Sequence, residues 1–488
     1  MRKFKQIITV LLIFCLMLCA VGCNNKSGTS DVGTTSDANI LYGDAVDTED
    51  DDDTANASNN SSGTGIVSQS GTTSTNKDGS NGNTSPSNNY KIDEIKKKSF
   101  LESVPKSLRG KTVKVLVWWT PGVTETAKAQ AFEKTTGIKI KFVQTGLGGE
   151  YATKLSALIQ QKNSPDLACI VQDYYPGIVM QNNFQTLDAA KLNLSDSIYD
   201  IDTMNMFKYK GKYYGAMIKS STMITFYATF FNRDMFRKYG VKNPEELWKE
   251  GNWNWDTFVS MSQEIKNKAK LQSVVSSEYG AHYIVQSAGT DPVKFVNGKI
   301  INNSSDSLLE TAWQFKNDLT NKYNILGGGQ EDFKSGKMPM CIIGNYVAQT
   351  GDSFNSGCKF DWGMAPCPSP KGQETIVPST VKLWGIPRGA KNAEAAGYWL
   401  RYWLDESFDP ADKPLWANTQ VKEVNNWLWE QKKQFTNFMG IINYGANYNW
   451  ESMVNELSTV ASSNIKSILD AWSGTIDKNI QKIEKEFG

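Results

Sequence analysis

The sequence predicts an α/β fold that begins with a parallel sheet. In the first apolar segment Val113, Val115 and Val117 recur at every second position, which is the period of a strand. Two helix-like segments and two further apolar segments follow, so the order is β-α-β-α-β. Strands that alternate with helices in this way generally form a parallel sheet. The body of the protein is therefore predicted to belong to the α/β class.

The first helix is predicted between Thr124 and Gly137. Threonine is a favourable N-cap residue, and glycine commonly ends a helix. Ile138, Ile140 and Phe142 then alternate with other residues and predict the second strand.

The second helix is predicted from Tyr151, Leu155 and Leu158, which fall on one face at helical spacing. Pro165 interrupts the helical pattern. The third strand is the uninterrupted apolar run 167–171, a composition typical of a strand buried on both faces.

The residues after the first and third strands are the first candidates for a ligand site. In parallel α/β sheets, ligands bind beyond the carboxyl ends of the strands. If Trp118 and Trp119 continue the strand, they face opposite sides and one of them is a core residue. The candidates are Trp118, Trp119 and Thr120 after the first strand, and Gln172, Asp173, Tyr174 and Tyr175 after the third.

Residues 1–22 have the pattern of a bacterial lipoprotein signal peptide. Arg2, Lys3 and Lys5 precede the apolar segment 7–18, and small residues then lead to Cys23. This pattern predicts cleavage before Cys23, lipid attachment to its thiol, and anchoring at the extracellular face of the cell membrane. The alternative is an uncleaved signal anchor with an incidental cysteine.

Residues 23–100 are predicted to form a disordered tether, and the folded body is predicted at 101–488. The whole chain carries a net charge of +1, but residues 24–90 contain ten acidic residues against Lys26 and Lys77, a net charge of −8. This segment is dominated by Ser, Thr, Asn, Gly and Asp, which cannot bury enough apolar surface to fold. Such a long tether favours a Gram-positive cell surface.

The motifs of several enzyme classes are missing. His282 is the single histidine, and neither Gly-x-Ser-x-Gly nor His-Glu-x-x-His occurs, so serine hydrolases and metalloproteases are not expected. We expect no enzymatic activity, metal or cofactor, and the lack of lysine clusters predicts no nucleic-acid partner. A surface glycoside hydrolase stays open, because its paired carboxylates have no fixed sequence spacing.

The body contains Cys169, Cys341, Cys358 and Cys367, with no Cys-x-x-Cys pair. Cys169 and Cys341 lie in apolar runs and are predicted to be buried. A disulfide between Cys358 and Cys367 is left open at this stage.

Seven short segments, in the same order along the chain, resemble landmarks of the extracellular solute-binding proteins of ABC importers, the family that contains maltose-binding protein. The resemblance covers about residues 111–472. The segments are 164–167, 209–215, 227–236, 253–258, 333–340, 364–368 and 391–396.

The resemblance implies a two-lobed, periplasmic-binding-protein-like fold whose lobes are discontinuous in sequence and joined by a hinge. The first lobe is expected at about 111–228 and 368–400, and the second at about 229–367 and 401–488. Proteins of this family catalyse no reaction. They capture a solute as the cleft closes and deliver it to the permease subunits of an importer.

The resemblance also implies ligand-binding residues. Asp173 matches by position a sugar-binding aspartate of the maltose-type proteins, and Asn345 and Tyr346 follow a strand after which the family often places a stacking aromatic residue. Trp450, with Tyr448 before it, resembles a late tryptophan platform. Trp384 is near the second crossing between the lobes. It is expected either to line the cleft or to pack at the hinge.

Two departures from the maltose-type proteins argue against maltose itself as the ligand. Ile170 replaces an aromatic residue of the maltose type, and Tyr174 replaces an arginine. A carbohydrate is nevertheless expected, because sugars stack their C–H faces on aromatic rings and offer hydroxyl edges to carboxylates and amides. All 15 tryptophans lie between Trp118 and Trp472. A peptide or another solute, and a sensing or polysaccharide-adhesion role, remain alternatives. The protein is expected to be a monomer.

Overall fold

The computed structural model describes residues 94–146, 149–171, 174–220, 222–277, 282–296, 299–349, 353–408, 416, 418–431 and 449–487. By its internal contacts the chain divides into the units Met1–Ser80 and Asn81–Gly488, and every described residue belongs to the second. The predicted signal peptide, Cys23 and most of the predicted tether therefore lie outside the described residues.

Ten of the described strands form one mixed sheet, with β2-β1-β3-β12-β6-β10-β7 as its main order. β4 and β5 pair with β12, β11 pairs with β6, and β8 and β9 form a separate antiparallel pair. The strands are β1 Thr112–Val117, β2 Lys139–Gln144, β3 Leu167–Val171, β4 Phe184–Gln185, β5 Gly215–Ala216, β6 Ile224–Asn232, β7 Val275–Ser277, β8 Val293–Val296, β9 Lys299–Asn302, β10 Met340–Gly344, β11 Trp362–Pro366 and β12 Ser379–Pro387.

The described residues also form 16 α-helices. The described α-helices are α1 Glu94–Ser103, α2 Val123–Thr136, α3 Gly149–Gln160, α4 Gly177–Met180, α5 Ile201–Met206, α6 Arg233–Tyr239, α7 Pro244–Lys249, α8 Trp255–Ala269, α9 His282–Gln286, α10 Ser307–Asn321, α11 Gln330–Lys334, α12 Ser353–Gly357, α13 Ala393–Leu404, α14 Thr419–Glu430, α15 Asn449–Thr459 and α16 Ile465–Phe487.

The sheet has two halves that two long strands connect. In the first half, β1 pairs in parallel with β2 and β3, and β12 joins β3 through residues 382–385. In the second half, β6 pairs through residues 227–232 with β10 and β11, and β7 joins β10 in parallel. Between the halves, residues 224–226 of β6 pair with residues 379–381 of β12. We call this short ladder the strand crossing.

The β-α-β-α-β order predicted for residues 112–171 is confirmed. α2 ends at Gly137, which adopts a left-handed φ of 73°, as predicted. The predicted cap at Thr124 is wrong, because the helix begins at Val123 with Gly122 as its N-cap. Gly122 has no side chain to cap the helix, but its own N–H donates a hydrogen bond of 2.8 Å to the Glu125 carboxylate.

Helix α1 begins at Glu94, before the boundary predicted at residue 101. It contacts the short turn that follows α13: the rings of Phe100 and Phe408 lie 5.4 Å apart, and Lys97 Nζ donates to the carbonyl oxygen of Phe408 at 3.1 Å. Residues 94–100, which the predicted boundary at residue 101 placed in the tether, thus belong to a helix that packs on the folded body.

Candidate functional site

The register of the strands brings the carboxyl edges of both halves to the strand crossing. Val171, the last residue of β3, pairs with Lys382, and the adjacent residue Val381 pairs with Ile224 at the crossing. Gly344, the last residue of β10, pairs with Tyr227, which directly follows the crossing. Side chains that follow strands of either half therefore lie at edges that border the same strand crossing, although 168 residues separate β3 from β10 in the sequence.

Trp118, Trp119 and Thr120 lie at the carboxyl end of β1. Strand β1 ends at Val117, so the two indoles need not alternate across the sheet. Both are partly buried, and their rings meet edge to face with centroids 5.0 Å apart. Thr120 is exposed, and its Oγ1 accepts a hydrogen bond from Gln144 Nε2 at 3.0 Å.

Trp118 packs on the ring of Tyr151, with centroids 5.4 Å apart at 88°. Tyr151 is buried, and its hydroxyl accepts from Cys169 N at 2.7 Å and donates to Cys169 O at 3.0 Å. Burial raises the pKa of the Tyr151 hydroxyl well above its ordinary value, so this group stays protonated. The Trp118 ring thus rests on an anchored support.

Trp119 is held by a carboxylate and by two other indoles. Its Nε1 donates to Glu125 Oε1 at 3.0 Å and to Oε2 at 3.2 Å. Its ring lies 6.3 Å from that of Trp384 and 6.4 Å from that of Trp403. Because the same carboxylate binds Gly122 N, Glu125 fixes the whole turn between β1 and α2.

Trp384 lies beneath Trp119 and is only 2% exposed. Its ring contacts that of Trp403 at 4.8 Å, and Trp399 stacks on Trp403 at 5.7 Å. Trp399 and Trp403 are both buried and pack in the interior. The contacts of Trp384 are those of a packing residue, and its contact with ligand stays a prediction.

Of the four candidates after β3, Gln172 and Asp173 lie outside the described residues. Tyr174 is partly buried. Tyr175 is 5% exposed, its hydroxyl donates to Lys208 O at 3.0 Å, and its ring meets that of Phe207 at 5.0 Å. Burial raises the pKa of this hydroxyl. These contacts tie Tyr175 to the protein interior.

Lys382 is a site residue that sequence reasoning missed. It lies on β12 opposite Val171, at the carboxyl edge of the first half, and it is partly buried. Burial lowers the pKa of its ammonium group, an effect that Cys169 and, to a smaller extent, Glu125 oppose. A lysine inside the apolar run of residues 381–386 is the signal that could have identified it.

In the second half, Asn345 and Tyr346 follow β10. Asn345 is 2% exposed, and both ends of its amide are bound: Oδ1 accepts from Phe226 N at 3.2 Å, and Nδ2 donates to Asn425 Oδ1 at 2.6 Å. Tyr346 is 39% exposed, with its ring beside Gly344. Tyr346 therefore presents a surface to solvent, whereas Asn345 connects the strand crossing to α14.

A stacked tyrosine pair at the same edge was also missed. The rings of Tyr227 and Tyr283 are 3.2 Å apart and inclined by 14°. Tyr227 is opposite Gly344, and its hydroxyl lies 3.4 Å from Thr380 Oγ1 on β12. His282, beside Tyr283, is buried.

Two remaining candidates come late in the chain. Tyr448 lies outside the described residues, and Trp450 is in the first turn of α15. The other end of α15 is held by Asn317 of α10, whose Nδ2 donates to Leu457 O at 2.8 Å and to Val460 O at 2.9 Å.

The thiols of Cys358 and Cys367 are free in the structure, so no disulfide joins them. Cys169 and Cys341 are buried, as predicted. Within the part of the chain that is described, no helix is long and apolar enough to cross a bilayer. Nor do the described side chains of His, Cys, Asp and Glu form a group of three that could hold a metal ion.

The chain belongs to the bacterial extracellular solute-binding proteins, because the sequence profile of that family matches residues 127–408, more than half of its length. Members of this family are binding proteins. No curated protein is similar enough in sequence to be matched to the chain.

Solved structures show the same two-lobed fold. An ABC transporter-associated binding protein from B. animalis subsp. lactis, in complex with β-1,6-galactobiose, is 17% identical with a TM-score of 0.59, over 76% of this chain and 98% of that one. An ABC substrate-binding protein from Listeria monocytogenes, in complex with cycloalternan, is 16% identical with a TM-score of 0.53, over 77% and 98%. The acarbose-binding GacH receptor of Streptomyces glaucescens is 18% identical with a TM-score of 0.52, over the same shares. The protein is therefore a two-lobed extracellular solute-binding protein.

Proposed function

We propose that this protein captures a carbohydrate between its lobes and delivers it to an ABC importer. The observation that carries the proposal is the placement of aromatic side chains at the carboxyl edges of both halves, on either side of the strand crossing. Trp118 and Trp119 lie at one carboxyl edge, and Tyr346 and the Tyr227–Tyr283 pair lie at the other. Aromatic faces of this kind suit the apolar C–H surfaces of sugar rings.

The solved structures support the same ligand class. Their proteins were crystallised with β-1,6-galactobiose, cycloalternan and acarbose, which are all carbohydrates. At 16–18% sequence identity these structures show a shared fold only. The ligand of this chain depends on its own residues.

The proposed ligand contacts follow from exposure and position. Trp118, Trp119, Thr120 and Tyr346 are partly or fully exposed at the carboxyl edges and supply stacking surfaces and a hydroxyl group. Asp173, Tyr174, Tyr448 and Trp450 are kept as proposed contacts from the family resemblance. For Tyr175, Asn345 and Trp384, which are buried, we propose that they support the site from behind.

Closure about the strand crossing would convert binding into a signal that the permease reads. In this proposal, the first lobe comprises about 111–228 and 368–400, and the second comprises the rest of the body. A ligand that touches both lobes stabilises the closed state by its extra contacts there. Lipid on Cys23 and a tether before α1 would keep the protein, as a monomer, at the outer face of a Gram-positive membrane.

The test is calorimetric titration of the mature chain, with Cys23→Ser to prevent lipidation, against neutral and acidic mono- and oligosaccharides. Saturable one-to-one binding with the sugar recovered intact supports the proposal. Sugar cleavage would favour a glycoside hydrolase instead. If no sugar of the panel binds, a peptide or another solute is favoured.

The same titration tests the site. Asp173→Ala and Trp450→Ala are each expected to weaken binding about tenfold or more, since stacking and charge-assisted hydrogen bonds each contribute on the order of 1–3 kcal/mol. Tyr239→Ala is the control and should bind as the parent does, because α6 follows the end of β6 that is opposite to the strand crossing. Unchanged affinity in both site variants would show that the proposed site is wrong.

A further inference from the structure

Lys382 lies on the strand that connects the halves of the sheet. Its backbone N–H donates to Met223 O at 3.0 Å, and it pairs with Val171, where β3 ends. Two residues along the same strand, Trp384 contacts Trp119. Because alternate residues of a strand share a face, Lys382 is on the same face of β12 as Trp384. It is two residues closer to the strand crossing.

The Lys382 ammonium group has no acidic side chain paired with it among the described residues. Glu125 is the nearby acid, but both of its oxygens already accept hydrogen bonds, from Trp119 Nε1 and Gly122 N, at the amino end of α2. That helix terminus itself stabilises a carboxylate. Cys169 and Glu125 act on the Lys382 charge through space, but no described carboxylate is bonded directly to its ammonium group.

We propose that Lys382 binds a carboxylate of the solute, so that this protein prefers acidic oligosaccharides, those with a uronic acid residue, over neutral ones. The inference rests on the proposed function and extends it from carbohydrates in general to one chemical class. A neutral hydroxyl could also accept from the ammonium group. A carboxylate does more, because it compensates a desolvated charge and forms a stronger, charge-assisted hydrogen bond.

Asp173 is the other charged residue predicted at this edge. If Asp173 and Glu125 together balanced Lys382, the site would carry no excess positive charge and an acidic sugar would gain nothing. The comparison of matched neutral and acidic ligands decides between these cases.

The experiment uses two matched pairs of disaccharides: α-1,4-galactobiose with α-1,4-digalacturonate, and β-1,6-galactobiose with its 6′-carboxylate. Each is titrated calorimetrically into the mature Cys23→Ser chain. The acidic member is expected to bind about tenfold more tightly, the factor that one charge-assisted hydrogen bond supplies. In Lys382→Met this preference should fall to within about twofold, with the affinity for the neutral member changed much less. Lys141→Met, an exposed lysine of β2 in the same half, is the control for net charge.

Thermal unfolding without ligand supplies a second, independent readout. Removal of a partly buried charge that has no ion-pair partner among the described residues should leave the melting temperature of Lys382→Met unchanged or higher. A clear fall would mean that Lys382 is a structural residue with a partner in the folded protein, and it would overturn the inference.

The possible failures are distinguishable. If the neutral sugars bind as well as the acidic ones, or if Lys382→Met keeps the preference, the inference is wrong while the proposed function stands. If the folded protein binds no member of either pair and no sugar in the wider panel, the proposed function and the inference fail together.

Discussion

The indole Nε1 of Trp119 and the carboxylate of Glu125 form a bifurcated hydrogen bond of 3.0 and 3.2 Å. One side chain in the first turn of α2 thus positions an aromatic ring at the carboxyl edge of the sheet. Because Glu125 also binds the Gly122 backbone, the helix N-terminus and the proposed ligand surface are parts of one local arrangement.

Glu125→Ala is predicted to weaken sugar binding about three- to tenfold and to lower the free energy of unfolding by about 1 kcal/mol. The first effect follows from a less ordered Trp119, the second from loss of the helix cap. Glu125→Gln retains an acceptor and should recover part of the affinity. Glu133→Ala, an exposed residue of the same helix, is the control. Calorimetry and urea unfolding provide the two readouts, and parent-like affinity in Glu125→Ala would refute the positioning role.

Asn345→Ala is predicted to destabilise the protein by about 2–3 kcal/mol, because it leaves a buried backbone N–H and the Asn425 amide without their partner. Urea unfolding of Asn345→Ala, Asn425→Ala and the double variant gives the coupling between the two residues. Asn193→Ala, at an exposed turn, is the control. Loss of sugar affinity with parent-like stability would instead make Asn345 a ligand contact, as the sequence resemblance implies.

Gly385→Ala is predicted to cost about 2–3 kcal/mol of stability. A Cβ at Gly385 would lie 2.6 Å from the backbone oxygen of Tyr214 and 2.7 Å from the ring of Phe184, inside the first half of the sheet. Gly474→Ala is the matched control, because nothing lies within 4 Å of a Cβ there and the residue is inside α16. That variant should be stabilised by about 0.5–1 kcal/mol. Equal melting temperatures for the two variants would contradict the close strand packing.

Asp306 is predicted to contribute to stability at pH 5 and to lose that contribution in acid. Burial acts to raise the pKa of this carboxyl, but hydrogen bonds from Lys294, Leu308 N and Asn303 outweigh it and lower the pKa from 3.8 to about 2. Since the folded-state pKa is below the unfolded one, stability is present above about pH 4 and disappears as the pH falls through 2. Allowing for partial exposure, the contribution is about 1–2 kcal/mol.

Urea unfolding at pH 5 and at pH 2 measures this contribution. Asp306→Asn should show a smaller stability difference between the two pH values than the parent. Asp470→Asn, whose carboxylate is more exposed in an i,i+4 pair with Lys466, is the control and should retain the parent's difference. An unaltered difference in Asp306→Asn would exclude the lowered pKa.

The strands and helix ends that the sequence predicts correctly are those that depend on residues close together in the chain. Alternation of Val113, Val115 and Val117 gave the first strand, and glycine gave the end of α2. The cap was misplaced at Thr124 because the helix begins one residue earlier with a glycine as its N-cap, and the N–H of that glycine is bound by the Glu125 carboxylate.

The strand crossing has no local signal. Residues 224–226 and 379–381 are about 155 positions apart, and their register depends on the packing of both halves. Only this register brings Lys382 and the Tyr227–Tyr283 pair to the edges that carry Trp119 and Tyr346. For the same reason, the rule that ligands bind beyond strand ends identified Trp118 and Trp119 as candidates, but it did not reveal that Tyr175 and Trp384 are buried beneath the surface.

A crystal structure of the protein with the oligosaccharide that it binds most tightly would show directly whether the ligand lies between the halves of the sheet. We expect sugar rings at the strand crossing, in contact with Trp119 on one side and Tyr346 on the other, with a sugar carboxylate at Lys382 Nζ. A sugar bound away from the crossing, or one that touches only one half of the sheet, would contradict this expectation.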